Sequence, residues 1–173
     1  MQTMWHGFTP MSTMPASGKL IRNHLACPFF MPMQKIEEGA WLHPSRLPLG
    51  AGWHGYCCAP GHEGEQPSAA ELIDGCNLGY AASCSRIPAQ RHCDSVRFSI
   101  SRDHGCEISL CFVTEYAHLP VTHGFVTYEV ATQHWTCIHP DERIQKMAQC
   151  YLESYLLRRS RSSDTSTRAQ AND

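Results

Sequence analysis

Hydrophobic and polar residues alternate most clearly in the second half of the chain. Val96, Phe98 and Ile100 are interleaved with Arg97, Ser99 and Ser101, the period of two expected of a strand with one face in the core. Asp103-His104-Gly105 reads as a turn, after which Ile108, Leu110 and Phe112 resume the alternation. Val126, Tyr128 and Val130 predict a third strand and His134 to Ile138 a short fourth, together an antiparallel meander. At His139-Pro140-Asp141-Glu142 the pattern changes. A proline and two acids suit the first turn of a helix. Ile144, Met147, Ala148, Tyr151 and Tyr155 then fall on one helical stripe. This predicts a helix packed on one face of the sheet, with Arg158 and Arg159 at its negative end.

The first half has little periodicity. From Cys27 to Cys93 the chain is rich in Cys, Gly, Pro and aromatic residues, a composition that suggests loops tied together by something other than a regular packed layer. One helix signal interrupts it. Ser68-Ala69-Ala70-Glu71 is a capping box, in which each side chain satisfies the other's orphan amide, and it points a short helix toward Cys76. The expected fold class is therefore α+β: a three- to four-stranded antiparallel meander with a C-terminal helix, plus an irregular cysteine-rich N-terminal lobe with one short helix. Residues 24–158 are expected to form one domain, with the lobe at 24–93 and the sheet and helix at 94–158. Residues 1–23 and the polar stretch 159–173 are expected to be a disordered leader and tail.

Length and charge narrow the function classes. A chain of 173 residues suits one domain, and its 42% hydrophobic share is enough for a core. A net charge of −2 gives no electrostatic footprint for nucleic acid. No run approaches 18 apolar residues, so no membrane association is expected. Residues 1–18 lack the basic and apolar regions of a secretory signal, and a cytoplasmic location is expected.

Ten cysteines then need a role. Ten in 173 falls below the roughly 8–10% that marks a disulfide scaffold, and a reducing compartment disfavours disulfides. Cys111, Cys137 and Cys150 lie in or beside regular elements and read as small buried hydrophobes. Cys27, Cys57, Cys58, Cys76 and Cys84 differ, because they lie in irregular chain among Gly, Pro and aromatics. Four thiolates from separate segments, with Phe29, Phe30, Trp53, Tyr56 and Tyr80 near them in sequence, suit an iron–sulfur cluster. Such clusters depend on amides near the sulfurs and on exclusion of solvent. The expected ligands are Cys27, Cys58, Cys76 and Cys84, with Cys57 and Cys93 as alternates, because adjacent Cys57 and Cys58 diverge in most backbone conformations.

The Cys27-Pro28 step resembles the cysteine–proline step of bacterial ferredoxins, although the ferredoxin run of closely spaced cysteines is absent. The resemblance is to small bacterial iron–sulfur proteins as a class, and it implies a cluster, 4Fe-4S by preference, and a protein redox partner. Zinc is the competitor. Its usual short Cys-x2-4-Cys knuckle is missing, but Cys58-Ala-Pro-Gly-His62 could join Cys76 and Cys84 in a mixed site with His62 as a ligand.

Other motifs carry less. Gly50-Ala-Gly-Trp-His-Gly55 matches GxGxxG, yet it is not set between a strand and a helix as a dinucleotide site requires, and it reads as a structural turn. Eleven histidines occur without an HExxH, a CxxCH, a CxxC or a GxSxG. The leading expectation is a small iron–sulfur protein in electron transfer or redox sensing. A zinc-stabilised interaction module comes second, and a cysteine-dependent enzyme with a thiolate–histidine pair third; the balance leans away from an enzyme.

Overall fold

The computed structural model describes residues 25–37, 39, 41–79 and 84–170, with no side-chain detail for 163–170. The leader expected at 1–23 lies outside these residues. The fold is α+β, as the periodicity predicts: a two-stranded sheet, a four-stranded antiparallel sheet and one long C-terminal helix. The strands are β1 (Phe30–Lys35), β2 (Trp53–Cys57), β3 (Ser95–Asp103), β4 (Glu107–Tyr116), β5 (Leu119–Glu129) and β6 (His134–Cys137). The helix, α1, spans Glu142–Gln170. Among the described residues no helix is long and apolar enough to cross a membrane.

The meander runs in the order β3-β4-β5-β6, every pair antiparallel. Alternation decides its faces. Val96 and Phe98 of β3, Ile108 and Leu110 of β4 and Val126 of β5 are buried on one side. Each contributes about 1.5–3 kcal/mol by leaving water. Onto them pack Ile144, Met147 and Ala148 of α1, and the Tyr151 ring lies 5.9 Å from that of Phe98. At the far end of β3, Asp103 accepts from the Tyr155 hydroxyl at 2.6 Å and pairs with Arg159 at 3.1 Å, which fixes the helix along the sheet. β4 and β5 are joined by the two residues Ala117 and His118, both at positive φ (49° and 65°). That is the backbone of a tight hairpin turn usually occupied by Asn-Gly. Asp94 accepts from the Ala117 amide at 2.7 Å and helps hold it there.

The helix also touches β1, and so contacts both sheets. It differs from the expected element at its end, since it continues to Gln170 through the stretch expected to be a disordered tail. The sequence from Arg159 to Gln170 contains no Gly or Pro to stop it.

The N-terminal lobe has more order than its composition suggested. β1 and β2 pair antiparallel, Phe30 opposite Cys57 and Lys35 opposite Trp53, with an irregularity between Pro32 and Gln34. The lobe and the meander share one core, in which Ala26, Phe30 and Trp53 are buried together with Val96 and Ile108. Ala26 and Val96 exchange two backbone hydrogen bonds, at 2.6 and 2.9 Å, and so join the start of the lobe directly to β3.

Candidate metal centre

The capping box forms as expected. The Ser68 amide donates to Glu71 at 2.8 Å and the Glu71 amide donates to the Ser68 hydroxyl at 3.3 Å. The turn it opens then widens, and Glu71–Cys76 is π-helical, a local distortion often found at functional sites. Its end is anchored across the lobe. Asn77, buried at 5% exposure, accepts from the Trp53 amide at 2.8 Å and donates to the Trp53 and Leu72 carbonyls at 3.0 and 2.9 Å. One side chain thus clamps the end of the π-helical turn to β2, and it brings Cys76 toward the strand that carries Cys57. Gly79 follows at φ +70°, where a Cβ would overlap the Leu25 carbonyl. Its bare backbone lets the segment before Cys27 pass close by.

These contacts bring four cysteines together. Cys27, Cys57, Cys76 and Cys84 line one small pocket with Phe29, Phe30, Ile87 and Arg86. All ten cysteines are free thiols, and no disulfide joins any of them. Burial pushes the Cys27 thiol up to about 12, with Cys76, Cys57 and Cys84 adding to the rise and the Phe29 amide opposing it. Cys76 is raised to about 12 in the same way, by burial first and then by Cys84 and Cys57. Thiols that impede one another's ionisation are close together, and a cation between them would reverse that effect.

A backbone amide is already aimed at one of the sulfurs: the Ala59 amide, two residues after the cysteine, donates to Cys57 Sγ at 3.4 Å, an arrangement that stabilises a thiolate ligand. Arg86, held by ion pairs to Glu65 at 3.3 Å and Glu71 at 3.1 Å, lines the same pocket as Cys57 and brings a fixed positive charge to it.

Of the expected ligands Cys27, Cys58, Cys76 and Cys84, three line the pocket, and the alternate Cys57 joins them in place of Cys58. Cys57, not Cys58, faces the pocket. The two are consecutive at the end of an extended strand, so their side chains leave opposite faces. The Cys57 side chain lies on the buried face, whereas Cys58 stands beside Arg143. Burial raises the Cys58 thiol, and the Arg143 guanidinium works against it. The alternate Cys93 lies near Arg143 as well. His62, the ligand expected for zinc, pairs with Glu65 at 3.0 Å and does not line the pocket. Of the expected aromatic wall, Phe29 and Phe30 line the site, while Trp53 is buried elsewhere in the core and Tyr56 is not part of the lining. Tyr80 lies outside the described residues. Of the cysteines expected to be buried, Cys150 is, but Cys137 is exposed and Cys111 half-buried. Cys111 pairs opposite Phe125, which is 54% exposed, on the sheet face that α1 does not cover.

The fit to a metal group depends on spacing. Among the described residues no three His, Cys, Asp or Glu side chains stand at the separation needed to hold one ion. The four-cysteine pocket contains a void of about 20 Å³, room for a water-sized body of radius about 1.4 Å. Adding the radius of sulfur puts the centre of such a void farther from each thiol than the about 2.3 Å of a Zn–S bond. A cluster binds each thiolate to its own iron and does not require the sulfurs to meet at a point. An eight-atom 4Fe-4S cluster is also larger than this void, so either group would require the cysteine segments to move apart, and it is the four-thiol donor set rather than the room that suits a cluster. Compared with protein families, curated proteins and solved structures, the chain finds no match.

Proposed function

We propose that this is a small iron–sulfur protein whose cluster is held by Cys27, Cys57, Cys76 and Cys84, and that it serves in electron transfer or redox sensing. The observation that carries this reading is the convergence of four cysteines from four separate segments on one pocket, with the Ala59 amide aimed at the Cys57 sulfur. A cluster, 4Fe-4S by preference, would supply reversible one-electron chemistry. The protein supplies the rest. Phe29, Phe30 and Ile87 exclude water, the Ala59 amide and Arg86 offset thiolate charge, and the Asn77 clamp keeps Cys57 and Cys76 in register.

The test is metal analysis of protein prepared without oxygen, in matched variants. Wild type and Cys58→Ser should contain iron and acid-labile sulfide and show a reversible reduction. Cys57→Ser, Cys27→Ser, Cys76→Ser and Cys84→Ser should each lose most of the metal. Equal iron in Cys57→Ser and wild type would refute the ligand set. A colourless wild type with one tightly held zinc would replace the cluster by a structural ion, the second reading.

A further inference from the structure

A second cavity, of about 220 Å³, opens where the end of β1 meets α1 along Ser154, Leu157, Arg158 and Arg161. It shares no lining residue with the cysteine pocket. Among the described residues its walls combine a flat indole, Trp41, with the cationic side chains Lys35, Arg158 and Arg161 and the acid Glu37. Among the described residues neither Lys35 nor Arg158 has a carboxylate partner.

The glycines of the Gly50-Ala51-Gly52 turn shape this cavity. A Cβ at Gly50 would fall 2.6 Å from Arg158 Nη1 and 2.8 Å from Ser154 Cβ, and one at Gly52 would overlap the Trp41 ring. Both side chains are thus seated against bare backbone. Arg158 is held there by a hydrogen bond from Nη1 to the Gly50 carbonyl at 3.3 Å. The Trp41 Nε1 hydrogen is buried and has no acceptor among the described residues, so the ring carries an unmet donor as well as a flat apolar face.

We propose that this cavity binds a small aromatic anion: one flat ring against Trp41, with its carboxylate or phosphate facing Lys35 and Arg158. Size supports a single ring. A buried cavity of about 150 Å³ holds benzene, and the 220 Å³ here adds room for one anionic group. Charge supports an anion, since among the described residues Lys35 and Arg158 face the cavity without a carboxylate partner. The site is independent of the metal centre, and neither reading depends on the other.

The experiment titrates full-length protein with benzoate and phenyl phosphate, and with phenol and inorganic phosphate as single-feature controls. Binding is read by calorimetry and by Trp fluorescence. Saturable binding of one of the aromatic anions is expected, with phenol and inorganic phosphate at least about tenfold weaker. Lys35→Gln and Arg158→Gln should each weaken it about fivefold, the effect of the roughly 1 kcal/mol that one charge at close range exerts in a water-like medium. Circular dichroism checks that both variants fold, and Lys35→Gln, at a partly exposed strand end, keeps the test open if Arg158→Gln does not. Absence of saturable binding by both aromatic anions would overturn the proposal. So would phenol binding as tightly as phenyl phosphate, or equal affinity in wild type and the folded variants.

Discussion

Replacing Asn77 by Ala should cost this fold more than its size suggests. The side chain makes three hydrogen bonds, one accepted from the Trp53 amide and two donated to the Trp53 and Leu72 carbonyls, all between 2.8 and 3.0 Å and all buried. A net value of about 1 kcal/mol for each gives roughly 3 kcal/mol. The groups left behind raise this, because the Trp53 amide and carbonyl would remain buried without partners, at about 1–3 kcal/mol for such a group. We expect a loss of about 3–5 kcal/mol, a large share of the roughly 5–15 kcal/mol that stabilises a typical domain. Urea unfolding of the metal-free protein, followed by far-ultraviolet dichroism and Trp fluorescence, measures it. Asn77→Asp should be no better at neutral pH, since it keeps the acceptor for Trp53 but loses both donated bonds and buries a charge. The Asn77→Ala protein should also take up less iron, because Cys76 is next to the clamp and Cys57 is on the strand it holds. A loss below about 1 kcal/mol with unchanged iron would refute the view that Asn77 sets the geometry of the lobe.

Further expectations concern other parts of the molecule. Ala117→Gly and His118→Gly should each stabilise by about 1 kcal/mol in thermal melts, since both positions adopt a left-handed conformation that costs an L-residue about that much; an unchanged or lower melting temperature would count against a strained hairpin. Asp103 is held below its ordinary carboxyl value, first by the Tyr155 hydroxyl, then by the Gly105 amide, with Arg159 assisting. Its stabilisation is present above the unfolded value of about 3.9 and is lost as pH falls through the lower native value. Wild type should therefore lose its advantage over Asp103→Asn below about pH 4 in parallel melts. Removing the metal should expose residues 27–93 to proteolysis while the meander and α1 stay protected, and equal protection of both halves would argue against a metal-organised lobe.

The elements built on repetition were legible in the chain, and those built on single distant contacts were not. Val96 and Phe98, Ile108 and Leu110 repeat every two residues because one face of each strand meets α1, so the meander and the helix could be read locally. β1 and β2 could not. Met31-Pro32-Met33 and His54-Gly55-Tyr56 show no alternation, and their pairing is irregular around Pro32. The widened turn at Glu71–Cys76 was hidden for a related reason, since its capping box announces an ordinary helix while the residue that anchors its end bonds to Trp53, 24 positions away. At the site, loop context singled out a group of five cysteines, four of which line one pocket. The choice between Cys57 and Cys58 depended on which face of β2 is buried, and no local pattern carries that.

The paired backbone bonds between Ala26 and Val96 bear on whether the cysteine lobe is a portable module. Residue 26 immediately precedes the first thiol of the site, so the position of Cys27 is set by a strand belonging to the other half of the protein. A fragment ending at residue 93 would carry all four thiols and lose the strand against which the first is aligned. It would also cut through the shared core that joins Phe30 and Trp53 to Ile108. Transplanting the lobe to another scaffold would thus require a recipient edge that reproduces β3, and shuffling of the lobe between proteins would have to carry the meander with it.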